Sequence, residues 1–278
     1  MILISILIAV AIIIGLLGLS VYMLRPETEK TRSFAAFDNT MIAHRGLFNN
    51  NSDAPENSLA AFRNALEHGF GMELDVQLTK DGKLVVFHDF DLKRMCGVHK
   101  KLTELTYAEL EQYSLKNSTE KIPLFSDVLE LVNGKVPLVV EIKVDFDYKA
   151  TTEAAAAMLS EYKGVYCMEC FNPLALVWYR KHFPKVLRGQ LSMDFFQSED
   201  KMPQIVRFFL TNLLLNFWAK PDFISYNHKD RQIRKLFGVK TAAWTIKSEA
   251  ELQTARETFD MFIFDSFLPK EGEKVRLS

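Results

Sequence analysis

The chain has 278 residues, with 34 basic and 35 acidic side chains and a formal net charge of −1. That balance offers no basic face for nucleic acid, and 48% apolar residues suit a globular domain rather than a disordered or fibrous chain. The three cysteines, Cys96, Cys167 and Cys170, show no sign of a disulfide framework.

The first element is apolar. Ile2 to Leu24 runs 23 residues without a charge, and as a helix it spans roughly 34 Å against a hydrocarbon core of about 30 Å. Gly18 and Ser20 give the small-x-small pattern of a signal-peptide cleavage site. The length of the run and the lack of Lys or Arg before it favour instead an uncleaved transmembrane anchor, residues 1–26. Arg25, Lys30 and Arg32 follow the span, so the positive-inside rule places a single-pass protein in the cell membrane with its domain towards the cytoplasm. Residues 27–40 read as a short polar linker, and residues 41–278 as the folded domain.

Nine strand-like runs follow: Met41–His44, Gly71–Leu78, Lys83–His88, Val136–Ile142, Val165–Glu169, Val186–Leu191, Asp222–Tyr226, Lys240–Thr245 and Met261–Phe264. Amphipathic stretches lie between most of them, such as "NSLAAFRNALEHG", with a cap at Asn57 or Ser58, an apolar face at Leu59, Phe62 and Leu66, and a stop at Gly69. This alternation predicts an α/β fold, most simply a (β/α)8 TIM-type barrel, with one strand more than a barrel needs. "CMEC" sits within a strand, where side chains three apart diverge, so it reads as two packed core cysteines. Asp75 and His88 are too close in sequence for a crossover helix between them. The chain therefore turns at Thr79–Gly82 and returns extended, which makes the second βα unit irregular. Residues 90–122, polar and poorly periodic, form an inserted segment after the third strand.

Ionisable groups gather at strand ends: His44-Arg45 in "IAHRG", Glu73 and Asp75 in "MELDV", His88 in "VVFHD", Glu141 and Lys143 in "VVEIK". A spacing of two puts Glu73 and Asp75 on one face of a strand, and likewise Glu141 and Lys143. Three inward carboxylates at a barrel mouth repel and call for a cation, and all-oxygen ligands suit a hard ion, Mg2+ or Ca2+, with Mn2+ as the alternative, rather than zinc. His44 and His88 can divide into general base and general acid. The Arg45 fork and the Lys143 point charge match phosphate oxygens. Together they point to metal-dependent phosphoryl chemistry.

The segments "AHRG", "PENS", "ELDVQLTKDGKLVVFHD", "DLKR", "IPLFSDVL", "VVEIK" and "AAWTI" occur in an order that resembles the glycerophosphodiester phosphodiesterase family, from about Met41 to Pro269. The resemblance implies a (β/α)8 barrel with an insertion after the third strand and a divalent cation held by Glu73, Asp75 and Glu141. It implies His44 and His88 as the acid–base pair, Arg45 and Lys143 on the phosphate, and Trp244 walling the substrate pocket. Glu56 would orient Arg45 or complete the metal shell. Attack by a neighbouring glycerol hydroxyl, then water, would give sn-glycerol 3-phosphate and an alcohol. Two positions depart from the family pattern: Ser58 stands for a threonine, and Phe264-Asp265 for a Thr-Asp pair, which puts the role of the last strand in doubt.

Residues 204–223, "QIVRFFLTNLLLNFWAKPDF", are unusually apolar: they read first as a well-packed helix and loop, and alternatively as an interfacial segment that dips into the bilayer near the mouth. With the anchor they extend the expected substrates from small glycerophosphodiesters to lipid-derived diesters, which would make the activity lysophospholipase D-like. A third alternative is a catalytically silent barrel that binds phosphodiesters.

Overall fold

The computed structural model describes residues 2–27, 32–144, 147–199, 201–230 and 236–270. It opens on a long helix, α1 (Ile2–Met23), whose side chains are exposed along nearly its whole length. Then come β1 (Thr40–Ala43), α2 (Leu59–His68), β2 (Gly71–Leu78) and β3 (Leu84–Val86). Two single-turn helices, α3 (Lys93–Cys96) and α4 (Tyr107–Leu110), lead to α5 (Phe125–Val132) and β4 (Leu138–Ile142). Regular alternation resumes with α6 (Tyr148–Glu161), β5 (Tyr166–Cys170), α7 (Pro173–His182) and β6 (Leu187–Ser192). The last units are α8 (Gln204–Thr211), α9 (Asn216–Ala219), β7 (Phe223–Asn227), β8 (Lys240–Ile246), α10 (Glu249–Ala255) and β9 (Met261–Phe264).

The sheet has nine strands in the order β1-β9-β8-β7-β6-β5-β4-β2-β3, and a further β1–β2 pairing closes it. Every pairing is parallel except β2–β3. The surplus strand is therefore β3. It is a hairpin arm folded back along Val76–Leu78, at the C-terminal end of β2, with Gly82 at φ +75° in the turn. The eight parallel strands form the TIM-type barrel expected from the alternation. Hairpin and insertion both fall within one βα unit, whose helix, α5, is delayed until residue 125. The insertion has a small core of its own, built from Val85, Phe87, Leu92, Met95, Leu102, Leu105, Leu110, Leu115 and Ile122.

The main core lies between strands and helices, where Phe62, Val128, Leu159 and Leu176 meet outward residues such as Leu74, Val140 and Met168. Cys170 belongs to this layer and Cys167 to the barrel interior, the divergence expected of side chains three apart on a strand. At the N-terminal end of the barrel, Phe34 and Phe37 pack beneath Ile42, Val139, Phe223 and Met261. Part of the stretch read as a polar linker is thus a plug. Phe37 is 1% exposed, so Phe37→Ala should cost about 3–5 kcal/mol through the cavity it leaves. Thermal unfolding of the purified variant checks this, and an unchanged midpoint would contradict the plug. Arg32 continues the fastening: it reaches Asp222 at 2.6 Å and Glu27 at 3.3 Å, beside the fully buried Arg188. Lys30, counted with the flanking charges, lies outside the described residues.

Candidate active site

The ionisable residues sit where the parallel strands end. β1 passes into His44, whose backbone N–H donates to Phe264 O at 2.9 Å. The chain then turns sharply through Arg45 (φ +55°) and Gly46 (φ +80°). A Cβ on Gly46 would lie 2.9 Å from the Ala61 carbonyl carbon, so glycine is required for α2 to pack this close. The turn aims the Arg45 N–H at Glu73 Oε2, 2.9 Å away.

On β2 the inward row is Glu73, Asp75 and Gln77, each two residues apart and each almost fully buried. The Gln77 amide donates to the carbonyls of Phe87 (2.8 Å) and Asp89 (2.9 Å), and so brackets His88. Asp75 and Glu141 are register partners across β2 and β4, as are Glu141 and Glu169 across β4 and β5. One carboxylate oxygen from each of Glu73, Asp75 and Glu141 lies within 4.8 Å of the others.

Such crowding has an electrostatic cost. Burial, and then repulsion by Asp75 and Glu141, pushes the Glu73 carboxyl well above its ordinary range. Burial likewise raises Glu141, against the pull of Lys143 at 2.8 Å. Asp75 goes the other way: burial opposes its ionisation, but the His88 ring, Lys143, Arg45 and the Asn57 amide together outweigh that and hold it low. Asp75 Oδ1 accepts no hydrogen bond from the described residues, with Lys143 Nζ 3.6 Å away. Three converging carboxylates, one with an unsatisfied buried oxygen, are the donor set that a hard divalent cation takes. The residues fit such an ion.

His44 and His88 flank the acids, and each has its own aspartate. His44 Nδ1–H donates to Asp265 Oδ2 at 3.0 Å, which leaves Nε2 facing Glu73 Oε2 at 3.9 Å. Burial, and then the charge of Arg45, lowers the His44 pKa to about 4. The ring is therefore neutral at pH 7 and Nε2 carries a lone pair. A depressed histidine contributes its full stability above the unfolded value of about 6.5 and loses it as pH falls towards 4. In EDTA, His44→Gln should flatten the decline in melting temperature over that window; an unchanged decline would place its origin elsewhere.

His88 Nδ1 lies 2.6 Å from Asp89 Oδ1, and Asp89 is held in turn by Arg94. Arg94 also grips both oxygens of Glu56 at 2.7 Å, while Arg45 Nη1 donates to Glu56 Oε1 at 2.6 Å. Glu56 is thus committed to orienting arginines, one of the two roles the sequence left open. The Trp244 ring meets Phe171 edge-on at 5.7 Å.

Seven of the eight expected site residues, His44, Arg45, Glu73, His88, Glu141, Lys143 and Trp244, line one cavity of about 1020 Å3. The eighth, Asp75, is fully buried and joins them through Arg45 and Lys143. Sequence reasoning gave no site role to Asp265, Asp89, Asn57, Gln77 or Glu169. Asn57 Nδ2 donates to Asp75 Oδ2 at 2.9 Å. Glu169 lines the cavity beside Glu141, and burial and that neighbour raise its pKa to about 8.

A closed parallel barrel with carboxylates, imidazoles and cations at the C-terminal rim defines an enzyme of the TIM-barrel class. Residues 44–266 match the glycerophosphoryl diester phosphodiesterase family, and the chain belongs to that family. It is 28% identical to a glycerophosphodiester phosphodiesterase of Bacillus altitudinis over 85% of this chain and 97% of the other. A lysophospholipase D of Rattus norvegicus is 33% identical over 44% of this chain and 41% of its own length. Among solved structures, a phosphodiesterase of Oleispira antarctica in complex with its product sn-glycerol 3-phosphate shares the fold. Its TM-score is 0.67 at 24% identity, covering 84% of this chain and 94% of that one.

Proposed function

We propose that the chain hydrolyses glycerophosphodiesters to sn-glycerol 3-phosphate and an alcohol, with His44 as general base and His88 as general acid. The observation that carries the reading is the approach of Glu73, Asp75 and Glu141 oxygens within 4.8 Å at a rim shared with both histidines. A divalent cation held by these three carboxylates would set positive charge against the phosphoryl oxygens and acidify a nearby hydroxyl. Arg45 and Lys143 hold the phosphate, and Trp244 closes one side of the pocket. His44 Nε2 takes the proton of the attacking glycerol hydroxyl, while Asp265 fixes the tautomer and offsets the charge that forms on the ring. His88, braced by Asp89 and Arg94, gives a proton to the leaving oxygen as its bond to phosphorus breaks. Water then opens the cyclic ester with the two roles exchanged.

Release of sn-glycerol 3-phosphate from glycerophosphocholine, with Mg2+, Ca2+, Mn2+ or EDTA, tests this directly. Turnover with a divalent ion and loss in EDTA is expected, and full activity in EDTA would overturn the metal reading. No turnover under any of these conditions would favour the silent-barrel alternative.

We also read residues 1–26 as an uncleaved anchor, residues 27–40 as the segment joining it to the barrel of residues 41–278, and the barrel as facing the cytoplasm. α1, 22 residues long and without a charge, supports the first of these. Intact mass of the membrane-extracted protein decides between anchor and signal, because cleavage near Ser20 would remove most of α1.

A further inference from the structure

α1 ends on positive charge. Arg25 follows its last apolar turn and is exposed, and the chain on either side is tied to the segment around α9. Asn216 Nδ2 donates to Leu24 O at 3.5 Å, and Glu27 N–H donates to Pro221 O at 2.9 Å. These two bonds bring Arg25 beside Lys220, the left-handed residue (φ +49°) that closes α9. α7 packs against α9 and carries Arg180 in its last turn. Below them the buried Arg188 donates from Nη2 to Lys220 O at 3.3 Å. The carboxylates that act on Lys220 and Arg188 are Glu27 and Asp222, and both are engaged by Arg32 and Arg188. Arg25, Arg180 and Lys220 have no side-chain hydrogen bond or ion pair among the described residues. The imbalance tells on Lys220, whose pKa is lowered by burial and then by the charges of Arg25 and Arg180, against the pull of Glu27. Just inside the apolar run, the Tyr22 ring lies 5.4 Å from that of Phe217, an aromatic pair suited to headgroup depth.

We infer that Arg25, Arg180 and Lys220 form a headgroup site for an anionic phospholipid of the leaflet in which α1 ends. The lipid phosphate supplies the negative charge that Glu27 and Asp222 leave wanting, and its chains lie along Tyr22 and the apolar turns that precede it. Two observations select this occupant. The three cations come from distant parts of the chain and are gathered by the fold, so the site is more than a run of charges flanking a span. They are gathered at the foot of a helix long and apolar enough to cross a bilayer, at the depth where lipid phosphates lie. The inference rests on the reading of residues 1–26 as an anchor and is independent of the chemistry at the acids.

Trp178 and Trp218 stand two residues before Arg180 and Lys220, so their fluorescence reports on lipid at the site. The full chain is placed in phosphatidylcholine nanodiscs that contain a minor share of chain-brominated phosphatidylglycerol or, in parallel, chain-brominated phosphatidylcholine. Each Lys or Arg near an anionic lipid adds about fivefold in affinity. Quenching should therefore give a preference of at least about tenfold for the anionic lipid. The combined variant Arg25→Gln, Arg180→Gln and Lys220→Gln should bring the preference to within about twofold of unity with an unchanged circular dichroism spectrum. Arg25→Lys, Arg180→Lys and Lys220→Arg together should keep it. No preference in the parent protein, or a preference that survives the glutamine variant, overturns the inference. So does loss of preference in the charge-keeping variant, which would make packing rather than charge the cause. Sodium phosphate, matched in ionic strength to sodium chloride, should leave the preference unchanged; abolition would make a soluble anion the occupant and overturn the lipid site. A second readout needs no bilayer: the detergent-solubilised full chain should melt higher with short-chain phosphatidylglycerol than with short-chain phosphatidylcholine, and the glutamine variant should not. That shift in a chain that fails to enter nanodiscs supports the site and refutes only the anchor. Entry into nanodiscs without any preference leaves the anchor standing and refutes only the site.

Discussion

His44→Ala is expected to lower kcat on glycerophosphocholine by about 10²–10⁴-fold with little change in melting temperature. The ring donates Nδ1–H to Asp265 and presents Nε2 at the cavity edge, and its pKa of about 4 keeps it neutral at pH 7. In the proposed mechanism, an imidazole held neutral in this way is ready to take a proton without first losing one. Asp265→Asn should do less harm, because an amide oxygen still accepts from Nδ1 but no longer offsets the charge that forms on the ring. Initial rates for the two variants, with circular dichroism to confirm folding, give the comparison. Equal rates for His44→Ala and the parent protein would remove His44 from the reaction.

Glu73→Gln is expected to separate stability from function. In the metal-free protein Glu73 is buried against Asp75 and Glu141, and its ionised form is disfavoured. An amide of the same shape relieves that repulsion, so the melting temperature in EDTA should stay level or rise. Cation binding should suffer instead. An ion at about 100 times its Kd stabilises by about 2.7 kcal/mol, roughly 5 °C for a chain of this size. The parent protein should show that shift on adding Mg2+ or Ca2+, and Glu73→Gln should lose most of it along with more than about 100-fold of turnover. A full shift in the variant would mean that the carboxylate is not a ligand.

Much of this was legible because strands and their spacing are local properties. β2 and β9 run as the alternation predicted, and the i, i+2 rule put Glu73 and Asp75 on one face before any contact was known. Pairing direction is not local. Nothing within "KLVVFH" says that β3 turns back on β2 instead of serving as a barrel stave, and only the short gap to Asp75 hinted at it. The missed residues share that character. Asp265 meets His44 across 221 positions of sequence, and a lone aspartate after a strand carries no periodic signal. Glu169 was overshadowed by the cysteines on either side of it. Asn57 sat inside a quoted motif but was read only as a helix cap, while its amide holds Asp75. Phe34 and Phe37 lay in a stretch judged by its charges, where two aromatic residues were a sign of burial.

The fastening of Glu27, Arg32 and Phe37 beneath the barrel bears on how such an enzyme would forage. With α1 in a bilayer, the catalytic body is bolted on like a bracket rather than swinging on a leash. Its opening stays at one height and tilt above the lipid plane. Were α1 such an anchor, encounters with substrates at the membrane would depend on two-dimensional drift of the whole molecule, and lengthening the join between helix and barrel would give wider reach at the expense of aim.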